Sequence, residues 1–233
     1  MLIIAILYET IIFSPEGFFM RKKIIYGILA GAFITMAAVA FLAAPDSVTG
    51  SVLFAFGLLT IVNYEFMLFT GVVGYISEQK TFRDFINYSL FSLAVWALNL
   101  AGAIITGTLI RCTRTAAVIM PKLEALMRTK CADSAPSLFV LGIFCGILMF
   151  IAVNTYKRTE ASPVAKVVLL FACVVVFILS GYEHCVANMA YISLYGKVDI
   201  FVISMLFFSS LGNIVGCNAV PLLRRIALNN SQN

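Results

Sequence analysis

The chain has 233 residues, 62% of them hydrophobic and 12% charged, with a mean hydropathy of +1.02 and a formal net charge of +5. A soluble domain carries about 25% charged residues, so this composition excludes one and points to an integral membrane protein. The positive charge does not signal nucleic acid, because no basic helix or aromatic-basic platform occurs and most Lys and Arg flank apolar runs.

Residues 1–23 read as an amino-terminal interfacial segment. Its apolar run, Leu2 to Phe13, is interrupted by Glu9 and ended by Ser14-Pro15, which is too short to cross a bilayer. No positive n-region or small-residue cleavage site marks it as a signal peptide, and a start at Met20 is the alternative. A membrane-spanning domain is expected over 24–223 and a tail over 224–233.

The first predicted span is Ile24 to Ala44, guarded by Arg21-Lys22-Lys23 and closed by Pro45-Asp46. Its apolar residues cover every face, which excludes the in-out alternation of a barrel strand and makes the fold class all-α membrane. The second, Val52 to Ile76, contains Asn63, Glu65 and the stretch Leu68-Phe69-Thr70-Gly71 where a continuous helix needs no polar group, so it is expected to be broken. The third, Phe85 to Ile110, carries Asn99 and Gly102 inside. The longest polar connection, Arg111 to Pro136, follows with five basic residues. The fourth span runs from Ser137 to Val153, the fifth from Val164 to Leu194 and the sixth from Ile200 to Leu223. The fifth is too long and too polar at its centre for one plain helix.

That centre is Ser180-Gly181-Tyr182-Glu183-His184-Cys185-Val186-Ala187-Asn188, which places a carboxylic acid, the single histidine and an asparagine between apolar runs. Ionisable groups at such depth are costly without a partner and mark functional sites, His184 first among them. Three short matches then recur in nearly one register, at offsets of 115, 114 and 114: Gly27 to Gly31 with Gly142 to Gly146, Thr70 with His184, and Asn99-Leu100-Ala101-Gly102 with Asn213-Ile214-Val215-Gly216. Three spans per half, an odd number, make this an inverted repeat whose broken second and fifth helices meet near the midplane, with Thr70 and His184 as facing partners. Asn99 and Asn213 are expected to hold helices or broken segments by hydrogen bonds. Glu183 is expected to satisfy backbone donors at the half-helix end.

With both termini inside, ten basic residues lie on the cytoplasmic side of a plasma (inner) membrane protein and six outside, most of these in the connection Arg111 to Pro136. That loop reads either as an anion-attracting field or as a solvated surface. The six cysteines show no C-x-x-C spacing and the chain has one histidine, so neither a metal nor a cofactor is called for. Cys112 and Cys131 lie in the polar connection, and no obligatory disulfide between them is expected. Enzyme chemistry is not supported either: no G-x-S-x-G nucleophile accompanies His184, and one histidine cannot ligate a haem on both faces.

Together SGYEHCVANM, the LFTG break, GILAGAF and LGNIVG resemble the formate/nitrite transporter family over about Lys23 to Leu223. The resemblance implies an aquaporin-like six-helix protomer, a homopentamer in the lipid bilayer, and passage of small monovalent anions such as formate, nitrite or hydrosulfide, with or without a proton. It implies further that His184 is the central histidine, Thr70 the threonine of the broken second helix, and Lys130 the vestibule lysine. Phe54 and Phe177 match the outer apolar ring, and Leu58, Leu68 and Phe69 the inner one. Glu183, His184 and Asn188 form the E-H-x-x-x-N core. Cys185 stands where a serine is common, and Met189 to Gly196 lacks the usual proline. An aquaporin-like channel for neutral solutes is the alternative, although the paired N-P-A motifs are absent.

Overall fold

The structure is a computed structural model that describes residues 15–229, with side chains from Met20 to Leu228. All elements among the described residues are helical: α1 (Pro15–Ala43), α2 (Ser47–Asn63), α3 (Phe69–Val72), a 3₁₀ segment (Val73–Glu78), α4 (Phe82–Arg111), α5 (Thr115–Cys131), α6 (Ala135–Arg158), α7 (Pro163–Leu179), α8 (Cys185–Tyr195) and α9 (Ile200–Asn229). The interfacial segment expected before the first span lies outside the described residues up to residue 14. From Pro15 the chain is already α1, so Arg21, Lys22 and Lys23 ride on that helix rather than precede it. Proline suits a first helical turn, where its missing N–H has no partner to lose.

Among the described residues, four helices are long and apolar enough to cross a membrane: Met20–Ala43 within α1, α4, α6, and Ile200–Leu228 within α9. α2 and α7 have 17 residues each, about 25 Å at 1.5 Å per residue, short of a bilayer's hydrocarbon core of about 30 Å. Each is followed by a non-helical break and a shorter helical piece. The helix starts are sealed by side chains that take up orphan backbone donors. Asp46 accepts from Thr49 N at 2.9 Å, and Ser134 and Ser162 cap α6 and α7, with proline in the first two positions of each.

The two breaks begin alike. After α2, Tyr64 ends the helix, Glu65 adopts a left-handed φ of 58°, and Phe66 N donates to Ile61 O at 2.9 Å. After α7, Ser180 ends the helix, Gly181 has φ 69°, and Tyr182 N donates to Phe177 O at 2.9 Å. Both are Schellman endings, in which one left-handed residue turns the chain and a bond six residues long closes the last turn.

Two long pairs carry the scaffold. α4 lies on α1 so closely that a Cβ on Gly102 would strike the Ile28 carbonyl, and α9 lies on α6 so that one on Gly216 would strike the Ile143 carbonyl. Small residues permit that approach, which dispersion and interhelical polar bonds hold together in lipid.

The connection Arg111 to Pro136 is not an open loop. Most of it is α5, which buries Ile119, Leu123 and Met127 along one face. Lys122 on α5 donates to Phe41 O at 2.9 Å and lies 4.3 Å from the centre of the Phe41 ring, closing the carbonyl end of α1. Loss of water lowers the Lys122 ammonium below its ordinary pKa, with Asp46 opposing the shift.

Candidate functional site

The breaks return the chain to the bundle interior, where an asparagine holds each one. Asn99 accepts from Phe69 N at 2.8 Å and donates to Met67 O at 2.8 Å and Gly27 O at 2.9 Å. Asn213 accepts from Cys185 N at 2.9 Å and donates to Glu183 O and Gly142 O, both at 2.8 Å. Each amide therefore ties a break to a long helix while answering backbone groups that lipid could not. In this frame Phe69 corresponds to Cys185, and Leu68 corresponds to His184, each being the residue that precedes its half-helix. The repeat expected to align Thr70 with His184 is thus displaced inside the breaks, although the two side chains do meet.

Thr70 Oγ1 and His184 Nε2 are 3.0 Å apart and buried. The donor follows from the other ring nitrogen. Ala187 N donates to His184 Nδ1 at 3.1 Å, so Nδ1 is an acceptor and the proton of the neutral ring sits on Nε2, which donates to Thr70. His184 is at once the cap of α8 and the partner of Thr70. The hydroxyl of Thr70 keeps its own proton for another acceptor.

Phe177 lies beside this pair, its ring 5.7 Å from the His184 ring and 5.9 Å from Phe54 in an edge-on arrangement. Phe54 and Leu58 follow one another along one face of α2, and Leu68 precedes α3; all three are buried. Phe69, expected in the inner ring with them, is buried as well and also borders a groove of about 430 Å³ between α4 and α9, with Trp96 and Phe207.

On the α5 side, a cavity of about 180 Å³ is lined by Lys130, Phe177, Glu183, His184, Asn188 and Tyr191, among others. Lys130 Nζ binds Glu183 Oε1 at 2.7 Å, and the side chains are 11% and 4% exposed. Glu183 Oε2 accepts from Asn188 Nδ2 at 2.7 Å, and that same amide nitrogen reaches Ser209 Oγ at 3.1 Å. Glu183 therefore receives a lysine and an asparagine; the backbone donors it was expected to satisfy are taken by His184 and Asn213. Asn188 Oδ1 has no hydrogen-bond partner among the described residues.

Several participants had no signal in the sequence. Ser209 sits in an apolar stretch and carries no motif. The three-fold role of the amides and the cap formed by His184 depend on tertiary return of the breaks. α5 did leave a signal, the spacing of Ile119, Leu123 and Met127 on one helical face.

A 65-residue stretch is 38% identical to the nitrite transporter NirC of Escherichia coli (strain K12), covering 28% of this chain and 24% of that protein. The NirC of Salmonella typhimurium is 40% identical over 65 residues, 28% of this chain and 23% of its own. The chain thus matches about a quarter of the length of these relatives. Among solved structures, a pentameric formate channel with formate bound superposes with a TM-score of 0.76 at 23% identity, over 90% of this chain and 97% of the other. An FNT family ion channel gives 0.71 at 22% identity, over 92% and 90%. At such identities the likeness is one of fold. The family model described as formate/nitrite transporter matches residues 18–224, nearly the whole described chain, and on that ground the protein belongs to the formate/nitrite transporter family.

Proposed function

We propose that the chain is a channel or transporter for small monovalent weak-acid anions such as formate, nitrite or hydrosulfide, assembled as a homopentamer with a pore in each protomer. Six spans cross the membrane in this reading: α1; α2 with α3 and the 3₁₀ segment; α4; α6; α7 with α8; and α9. They form two inverted repeats of an aquaporin-like protomer. Both termini face the cytoplasm across a plasma (inner) membrane, by the excess of basic residues on that side. The choice of substrates and of five copies draws on the relatives, which include nitrite transporters and a pentameric formate channel.

The observation that carries the reading is the Thr70–His184 contact at 3.0 Å, buried beside the Phe54–Phe177 pair. An anion stripped of water between apolar rings loses several kcal/mol unless donors replace its shell or a proton removes its charge. Thr70 accepts from Nε2–H and so presents a hydroxyl proton polarised by the bond it receives. A passing carboxylate or nitrite oxygen can take that donor, or the Nε2–H itself if Thr70 turns aside. Because Nδ1 is committed to Ala187, the imidazole serves as a neutral donor in this conformation. A weak acid that takes up a proton in the vestibule crosses the rings without its charge.

Flux into proteoliposomes, compared across formate, nitrite, hydrosulfide, chloride and glycerol, tests the reading. Weak-acid anions should pass far faster than chloride, and glycerol should not pass. Glycerol flux without anion flux would instead make this a neutral-solute channel.

A further inference from the structure

At the end of the bundle away from α5, a cavity of about 960 Å³ opens between the close of α6, the 3₁₀ segment and the last turns of α9. Four cations line it, Lys80, Arg158, Arg224 and Arg225, against one carboxylate, Glu78. Arg158 already holds that carboxylate, its Nη1 lying 3.0 and 2.7 Å from the two oxygens. Lys80, Arg224 and Arg225 are exposed and make none of the salt bridges among the described residues. The cavity is therefore short of negative charge.

Its wall is fixed. Asn218 on α9 accepts from Ser77 N at 3.0 Å and donates to Val73 O at 3.0 Å, which clamps the 3₁₀ segment against α9. The Arg158 guanidinium lies 3.9 Å from the centre of the Tyr75 ring, and that ring packs edge-on against Phe150. Guanidinium groups and an ammonium around one space suit the several oxygens of a phosphate.

Beside the polar Asn154, Thr155 and Thr159, the lining has an apolar part: Phe150 and Ile151 from α6, and Val220, Pro221 and Leu228 from α9. Beside them Leu222, Leu223 and Ile226 are exposed on α9. A soluble phosphate would leave that surface unused, whereas acyl chains would cover it. We infer that this cavity binds the phosphate headgroup of an anionic phospholipid, with the acyl chains lying along the end of α9. Basic pockets between spans on the cytoplasmic face take such headgroups on electrostatic grounds, at about 1 kcal/mol per basic residue.

The test uses the full-length protein in nanodiscs of phosphatidylglycerol or phosphatidylcholine, with bound lipid counted by native mass spectrometry. Wild type should retain phosphatidylglycerol in preference, and R224Q/R225Q should hold it about thirtyfold more weakly. If the double variant fails to assemble, Lys80→Gln carries the same comparison. Equal retention of the two lipids, or wild-type retention by the assembled variants, overturns the inference. So does inorganic phosphate that alone stabilises the protein as much as phosphatidylglycerol, since the site would then serve a soluble phosphate.

Discussion

The backbone N–H of Ala187 donates to the Nδ1 of His184 at 3.1 Å, so the ring that meets Thr70 also starts helix α8. The two tasks can be separated by substitution. His184→Asn retains a good cap but not the reach to Thr70, whereas His184→Phe loses both. The asparagine variant should assemble with near wild-type thermal stability and lose most formate or nitrite flux. The phenylalanine variant should be less stable by about 1 kcal/mol as well. Wild-type flux in both assembled variants would remove His184 from the conduction path.

Lys130 is closely paired with Glu183, which alters what its removal should do. A lysine acting only at long range would matter most at low salt, where screening is weakest. Here Lys130→Ala leaves a carboxylate with little access to water, a loss of about 3 kcal/mol. Thermal unfolding and flux should therefore suffer alike at low and high ionic strength, and K130A/E183Q should regain much of the stability. A deficit confined to low salt would restore the long-range role.

Glu65 and Gly181 hold equivalent left-handed positions, with φ of 58° and 69°. A side chain there costs about 1 kcal/mol. Glu65→Gly should raise the unfolding midpoint by a gain of that order, and Gly181→Ala should lower it similarly. A Cβ on Gly181 would meet nothing within 4 Å, so the loss would come from the backbone conformation alone. Unfolding scans of the two variants in one detergent decide it.

Asp46 caps the start of α2. The backbone N–H of Thr49, followed by its hydroxyl, lowers the Asp46 pKa below its ordinary 3.8. Stability from this group is therefore full above that value and is lost as pH falls through the lowered one. Asp46→Asn keeps a capping oxygen and should flatten this part of the acid-unfolding profile, measured against wild type below about pH 4.

Much of the architecture was legible because lipid leaves the sequence few options. Backbone groups must be answered within the bilayer, so Asn63, Glu65 and the Ser180 to Asn188 stretch had to interrupt a helix or serve a partner. The amides Asn99 and Asn213 stood out for the same reason. The run Arg111 to Pro136 misled because its charges dominate a composition count, while the three residues that dock α5 are spread one per turn. The Lys130–Glu183 pair joins α5 to the second break, and no local pattern records such a contact. Nor could three matches in nearly one register disclose that Leu68, not Thr70, precedes its short helix as His184 precedes α8.

The asparagine clamps also impose an order on biogenesis. Residue 99 follows the first break in the chain and residue 213 follows the second, so each break emerges from the ribosome before the amide that completes it. Until α9 is in place, Cys185 N, Glu183 O and Gly142 O lack their Asn213 partner. A chain stalled before α9 would therefore hold a half-built bundle whose bare peptide groups lipid cannot satisfy, a distinguishing mark for membrane quality control.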